Sequence, residues 1–587
     1  MKIAFINPYC LDPRINDYDI RVPPIGLYYL AAILKEQGHD CEILNWHAMK
    51  GKEIHMEKEL RRIHPDVTAI SILHANRWGG LDIARISKRL FPETPVIFGG
   101  PGATFLWEHL LTHFKEVDAI IMGEGEETLS ELVRLIEKQK LGRLKEVRGI
   151  AYREGGVPTR TGDRPFISDL DSLPDPARFF TFQHVISSRG CPWNCAFCGS
   201  PRIWNRKVRF HGAEYFVNQL ERLNKKGVNF FYVSDDTFTL KKDRVISICN
   251  KIIQRRLQIE WAAISRVNIV DEEIAYWMRR AGCIQISYGV ESGSPKIRRA
   301  LNKTIKDGEI KKAFETTRAY GMMPRAYFIY GSPGENNKTI DESIRLIERI
   351  RPLGAIFYIL DIFPGTRLYD DFKKRTGRDD DIWLNRIEDI MYFQTDEKLS
   401  EEKVLKFGKR LRKAFYSKLP DFALNVKLKN LPELAPYHAS FLSRLGMTFV
   451  FGDYGKIDEI PHKERTAMAL FEQALTFFPD HRAYLGLAIL LQRNGQHDRA
   501  IRLLEKGLVH YPNSSDLSGC LGVSLMSLGE FDKALDLFMK HDSSEQNLRY
   551  AVQCAKCLGK FGLASILEEK IKNLHKTRAC HTPLKNA

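Results

Sequence analysis

The sequence predicts an α/β protein with an all-α C-terminal part, and three observations predict it. Residues 1–140 alternate short apolar runs with helically spaced ones. Residues 185–363 hold six strand-like segments with helices between them. Beyond residue 461 a pattern recurs every thirty-three or thirty-four residues. At 587 residues the chain exceeds what one core holds. The expected organisation is a first domain over 1–140, a linker over 141–180, a partial barrel over 181–400, a helical extension over 401–460, repeats over 461–575 and a tail over 576–587.

In the first domain Ile3–Ile6, Cys41–Leu44, Val67–Ile72, Val96–Phe98 and Ala119–Met122 read as strands. Leu27, Leu30, Ala31, Ile33 and Leu34 keep helical spacing until Gly38. That alternation predicts a doubly wound sheet, whose ligands sit at the carboxyl ends of its strands. The third strand ends in Ser71-Ile-Leu73 and the fourth in Gly99-Gly100. Glycines let backbone approach a flat ring, and a serine hydroxyl bonds a ring nitrogen.

The second region opens with Cys191-Pro-Trp-Asn-Cys195-Ala-Phe-Cys198. An electron-transfer [4Fe–4S] cluster takes four protein ligands. Three thiols in eight residues, with no fourth nearby, leave one iron open. A zinc knuckle would complete its ligand set with a second Cys/His pair at short spacing, and none follows. Strands are expected at Val185–Ser187, Phe230–Ser234, Glu260–Ala263, Ile284–Gly289, Arg325–Gly331 and Ala355–Ile362. Near-continuous apolar strands followed by helices predict a partial parallel barrel with active residues at the strand ends.

The Cys-x3-Cys-x2-Cys triplet resembles the radical S-adenosylmethionine (SAM) superfamily. In that family the open iron chelates SAM, and one electron cleaves it to a 5′-deoxyadenosyl radical. The resemblance implies roles for the strand ends. Asp235 and Asp236 lie in the segment that receives the SAM amino group, and Arg266 would pair with its carboxylate. Glu291 and Ser292 match the ribose segment, while Gly331, Pro333 and Gly334 match the adenine segment. Ser71-x-Leu73, Gly99-Gly100 and Gly123-Glu124, with Pro24-Ile-Gly26, resemble a Rossmann-like cobalamin-binding domain. The Asp-x-His-x-x-Gly element that supplies a cobalt ligand is absent, Asp12-Pro-Arg14-Ile having no such histidine. This combination resembles the cobalamin-binding radical SAM class, and implies base-off cobalamin with no protein histidine ligand. His74, after the third strand, reads as a hydrogen-bonding loop residue rather than a cobalt ligand.

The recurring pattern resembles tetratricopeptide repeats: Gly495 and Gly529, and Ala500 and Ala534, are thirty-four apart. A third unit runs through Leu558-Gly559 to Ala564. Cys554 and Cys557 within it read as helix packing rather than a metal pair. Such repeats imply a protein partner or docking on the enzyme's own domain. Lys406, Lys409, Arg410 and Arg412 interleave with Leu405, Phe407, Leu411 and Phe415 in a basic helix expected to pack on the barrel.

The expected activity is methyl transfer from methylcobalamin, recharged by a second SAM, to an unactivated carbon of a substrate the motifs do not name. A non-methylating cyclisation, coupling or rearrangement is the alternative within the class. A methylthiotransferase acting on transfer RNA is disfavoured, because its first domain carries a second cysteine cluster where this one has Cys10 and Cys41 alone. The resemblance implies an electron donor such as flavodoxin or ferredoxin. The net charge of +16 is spread along the chain and selects no partner; nucleic acid is not expected. No apolar run approaches a membrane span, the start lacks a signal-peptide layout, and eleven cysteines form no secreted framework. A cytoplasmic enzyme kept from oxygen is expected.

Overall fold

The computed structural model describes residues 1–12, 21–541 and 544–580. Arg14 with its neighbours, and residues 581–587 of the expected tail, lie outside them. The chain forms two compact units, one of residues 1–316 and 324–412, the other of residues 317–323 and those from 413 on.

The first unit opens with β1 (Lys2–Asn7), α1 (Ile25–Glu36), β2 (Asp40–Asn45), α2 (Glu53–Ile63), β3 (Val67–Ser71), α3 (Arg77–Leu90), β4 (Val96–Gly99), α4 (Pro101–Phe105), α5 (Trp107–His113), β5 (Ala119–Ile121) and α6 (Glu126–Glu137). Strands β1 to β5 pair parallel in the order β2-β1-β3-β4-β5. Alternation along β1 serves two cores: Ile3 and Phe5 pack with Leu27, Ala31 and Leu34 of α1, while Ile6 packs with Leu60 and Ile86 opposite. Burial on both faces is why the central strands β1, β3 and β4 are mostly apolar, whereas edge strand β2 carries Asp40, Glu42 and Asn45.

Within the segment 141–180, expected as a linker, two strands extend this sheet. β6 (Ile150–Glu154) adds antiparallel to β5, and β7 (Val157–Arg160) adds antiparallel to β6. Gly155-Gly156 makes the turn, both residues at positive φ. The hairpin covers the edge that β5 would otherwise expose, a cost that parallel-strand reasoning did not weigh.

Next come β8 (His184–Val185), β9 (Ser188–Arg189), β10 (Arg209–Phe210), β11 (Phe230–Val233), β12 (Glu260–Ser265), β13 (Cys283–Glu291), β14 (Met323–Tyr330) and β15 (Gly354–Ile359). A six-stranded sheet runs β15-β14-β13-β12-β11-β8, in sequence order once β9 and β10, which pair separately, are set aside. Pairing is parallel at β8–β11, β11–β12, β12–β13 and β14–β15. β9 and β10 pair antiparallel and bracket the cysteine loop. The sixth expected strand breaks after Ile359; Asp361–Ile362 pairs separately with Ile390–Met391. Phe407, Leu411 and Phe415 of the basic helix are buried, and Gly408 leaves room for the Tyr330 hydroxyl.

The second unit is helical, with Ala435–Val450, Lys463–Phe477, His481–Arg493, His497–His510, Ser515–Ser527, Phe531–Lys540, Glu545–Cys557 and Phe561–Cys580 each packing on its chain neighbour. Ala500 and Ala534 are both buried where helices approach. Phe471 sits between two glycines: a Cβ on Gly446 or Gly486 would lie 2.7 or 2.5 Å from its ring. Gly486→Leu is expected to lower the urea midpoint of this unit, overpacking costing about 1–3 kcal/mol against a helix gain of roughly 1 kcal/mol. Far-UV circular dichroism checks this; an unchanged midpoint would refute the packing account.

Candidate functional site

The cysteine loop is fixed before its thiols are considered. Gly190 has φ +101°, and a Cβ there would lie 2.0 Å from the Lys207 carbonyl oxygen, so only glycine fits. The Pro192 carbonyl accepts from Arg206 Nε at 2.9 Å, and the Asn194 carbonyl from Asn302 Nδ2 at 2.5 Å. Ala196, fully buried, donates its N–H to Leu301 O at 2.9 Å and accepts from Leu368 N at 3.1 Å. The Trp193 ring carries the Arg266 guanidinium 4.5 Å from its centroid. Every residue between the cysteines except Phe197 thus answers to a named partner through backbone or ring.

Cys191, Cys195 and Cys198 are all partly accessible. Burial pushes the Cys198 thiol up to about 12 and raises Cys191, with Asp236 and the neighbouring thiols adding to the burial effect. Three thiols close enough to perturb one another form a donor set suited to iron, which displaces their protons on binding.

Asp235 sits beneath this loop. Its carboxylate is buried and accepts from Ser187 N at 2.6 Å, Ser187 Oγ at 2.6 Å, Ser188 N at 3.2 Å and Ser188 Oγ at 2.6 Å. With four donors it pins the turn between β8 and β9. Asp236 is exposed and accepts from Ser200 Oγ at 2.8 Å; partial desolvation of its carboxyl, and then Asp235, raise it from its ordinary value. Of the expected pair, Asp236 is the carboxylate that faces solvent.

The remaining strand ends are distributed between structural and open roles. Arg266 donates from Nε to Asn268 Oδ1 at 3.1 Å and from Nη2 to Thr304 O at 2.8 Å, while its guanidinium covers the Trp193 ring, so the side chain is engaged with its neighbours. Glu291, at φ +64°, accepts from Lys303 Nζ at 2.9 Å in a buried pair. A non-glycine residue held there signals constraint by its surroundings. Ser292 Oγ accepts from Ser294 N at 3.1 Å and lies 3.3 Å from Ser343 Oγ. Gly331 and Gly334 both have positive φ; Gly334 and Pro333 are accessible, while Gly331 is buried. Glu335 closes that loop by accepting from the N–H groups of Gly331 and Ser332, and burial raises its carboxyl to about 7.

At the carboxyl edge of the first sheet lies a mostly apolar cavity of about 460 Å³. Ser71, Leu73, Gly99, Gly100, Gly123 and Glu124 all line it. Gly100, at φ +89°, would place a Cβ 2.7 Å from Ile72 O and 3.1 Å from Ser71 Oγ, whereas a Cβ on Gly99 meets nothing nearer than 4.0 Å. Gly99 therefore borders usable space and Gly100 a close backbone approach. Arg189, Trp204 and Ser234 line the same cavity from the side of the cysteine loop. His74 does not line it. Its ring packs edge-on against Trp383 at 4.2 Å, with Arg77 Nη1 3.2 Å from Nδ1.

Glu124 does not face the cavity as a free carboxylate. It meets Arg189 at 2.5 Å, Arg209 at 2.8 Å and the Ile167 N–H at 2.9 Å. Arg189 also meets Glu126 at 2.6 Å and lies 5.1 Å from the Tyr29 ring centroid. Burial alone would raise Glu124; Arg209 and Arg189 outweigh it and hold the carboxyl below its usual range. Arg189, two residues before Cys191, escaped the sequence reading although its position beside the motif was visible.

Residues 185–347 match the Radical SAM superfamily and residues 15–133 the B12 binding domain. The uncharacterized methyltransferase PH0819 of Pyrococcus horikoshii is 33% identical over 382 residues, 63% of this chain and 83% of that protein. The chain belongs to the cobalamin-binding radical SAM enzymes. The enzyme is also 27% identical over 414 residues to the anaerobic magnesium-protoporphyrin IX monomethyl ester cyclase of Cereibacter sphaeroides, 67% of each chain. Its fold resembles that of the radical SAM methyltransferase TsrM of Kitasatospora setae, solved with cobalamin and a [4Fe–4S] cluster, at TM-score 0.55 and 16% identity over 64% of this chain and 75% of that one.

Arg189→Met is expected to destabilise the enzyme by about 3–5 kcal/mol, since removing one partner strands buried carboxylates. Urea unfolding measures it, and a loss below about 1 kcal/mol contradicts the assignment. Glu335 has the opposite signature to a paired acid. Its folded pKa of about 7 exceeds the ordinary glutamate value of about 4.3, so its contribution is full below the lower value and is lost as pH rises through the higher. Glu335→Gln keeps an acceptor and is expected to flatten the stability profile between about pH 4 and 7; an unaltered profile would show that Glu335 does not titrate there.

Proposed function

We propose that the enzyme transfers a methyl group to an unactivated carbon through a 5′-deoxyadenosyl radical, using a [4Fe–4S] cluster, SAM and cobalamin. One observation carries the reading: the cavity bordered by Ser71, Gly99 and Gly100 is also bordered by Arg189, which adjoins the cysteine loop. A cluster would supply the electron that opens SAM, and cobalamin would carry the methyl group. Cys191, Cys195 and Cys198 would hold the cluster, with Gly190 and Ala196 fixing their loop.

The accessible strand-end groups support a SAM site. Asp236 would receive the amino group, and Gly334 and Pro333 would border the adenine. Asp235 and Arg266 act as positioning residues, through Ser187–Ser188 and Trp193 respectively. The strained Glu291 is held by Lys303 at the ribose segment. Ser71, Leu73, Gly99, Gly100 and Gly123 would border the cobalamin tail, and Glu124 would orient Arg189 beside it. The placement of His74 between Trp383 and Arg77 supports binding without a histidine below cobalt.

We read the six-stranded sheet as a partial (β/α)6 barrel and the terminal helices as tetratricopeptide-like repeats that bind a partner or present substrate. A flavodoxin or ferredoxin would supply the electron, in the cytoplasm. The cyclase relative favours a second reading, in which the same radical leads to ring closure without methyl transfer.

Anaerobic reconstitution with hydroxocobalamin and deuteromethyl-SAM tests the proposal. The wild type is expected to form 5′-deoxyadenosine, and the Cys191, Cys195 and Cys198 triple alanine variant none. Gly99→Trp is expected to lose cobalamin while keeping iron, and His74→Ala to keep both. Deuteromethyl transfer to a carbon of the substrate supports the first reading; a product without the label supports ring closure. 5′-Deoxyadenosine from the triple variant would overturn both.

A further inference from the structure

Outside the cofactor site, two histidines one turn apart on α5 face an aspartate from a distant segment. His113 Nε2 lies 3.0 Å from Asp381 Oδ1, and His109 Nδ1 lies 3.6 Å from the same oxygen. One ligand atom from each of the three residues falls within 4.8 Å of the others. A hydrogen bond to Asp381 accounts for His113. It does not account for His109, which is 6% exposed and whose two ring nitrogens both lack a hydrogen-bond partner. A buried imidazole with neither nitrogen satisfied calls for a ligand.

We propose that His109, His113 and Asp381 form a three-ligand site for a divalent cation of the zinc class. Metal–ligand bonds of about 2.0–2.2 Å in a tetrahedron separate ligand atoms by roughly 3.4 Å, between the two distances seen here. Two imidazoles and a carboxylate are a borderline donor set that favours zinc over calcium or magnesium, which take oxygen. Asp381 is 58% exposed at its side chain, so the cation enters from solvent and water completes its shell.

The site would clip a segment rather than run a reaction. Asp381 belongs to Asp380–Leu384, a 3₁₀ turn whose Trp383 is fully buried against the His74 ring and donates to the Tyr369 hydroxyl at 2.7 Å. His74 follows Leu73, which borders the large cavity. A cation joining α5 to this turn would hold Trp383 on the loop that ends β3. The inference stands whether or not methyl transfer is the reaction.

The test uses the anaerobically purified holoenzyme dialysed against zinc chloride, with iron and zinc counted by plasma mass spectrometry. One zinc per chain beyond the cluster iron is expected. Zinc-edge X-ray absorption should show nitrogen and oxygen neighbours and no sulfur. His113→Ala and Asp381→Ala, both at accessible positions, should each weaken zinc retention at least about tenfold with iron unchanged, since even outer partners of a metal cost that much. No retained zinc, sulfur in the zinc shell, or full retention in both variants overturns the site. Should a variant lose iron as well, the wild-type count and absorption spectrum decide alone.

Discussion

Arg189 is a cation buried to 5% side-chain exposure, and the first unit is arranged around satisfying it. Such a charge needs partners of opposite sign with good geometry. Glu124 and Glu126, on either side of Gly125 at the head of α6, supply them, and Tyr29 of α1 offers its ring face. Arg209 on β10 meets Glu124 in turn. The carboxylates come from the end of β5, and the arginines from the two short strands that bracket the cysteine loop. One ion network therefore fixes the edge of the large cavity and the approach to Cys191 together. A shift in either would unpair a buried charge.

The same economy governs the loop itself. Asp235 spends its whole carboxylate on Ser187 and Ser188, while Arg244 donates to the Ser187 carbonyl at 2.5 Å from the other side. Gly190 closes on Lys207, Trp193 on Arg266, and Asn194 and Ala196 on the neighbouring Asn302 and Leu301. Rigid support of this kind would let three thiols meet a cluster without reorganisation. It also explains why several residues that resemble ligand-binding ones in sequence are occupied with neighbours.

Much of this was legible before the structure. Strand positions followed from continuous apolar runs, because parallel strands are buried on both faces. All six residues assigned to the cobalamin slot line one cavity, because strand ends follow directly from strand assignment. What sequence could not separate was a carboxylate facing a ligand from one facing a serine. Asp235 and Asp236 are adjacent and chemically alike, and only their opposite orientations distinguish them. Glu124 and Arg266 likewise carry the charge a ligand would want, but Glu124 meets Arg189 and Arg209, and Arg266 meets Thr304 and Trp193, all distant in the chain. The hairpin Ile150–Arg160 was missed because its strand β7 is short, exposed and proline-containing, with little apolar signal. His109 and His113 pass for a surface pair until Asp381 arrives from 268 residues away.

The central proposal is that the cavity would hold cobalamin and the cysteine loop the cluster, on one shared joint, so that cobalt and cluster would stand close enough to interact. Electron paramagnetic resonance of the cob(II)alamin-loaded enzyme, recorded before and after one-electron reduction of the cluster, tests this most directly. The account predicts that reduction broadens or splits the cobalt signal and quickens its relaxation. A cobalt spectrum unchanged by cluster reduction, with both cofactors at full occupancy, would contradict it.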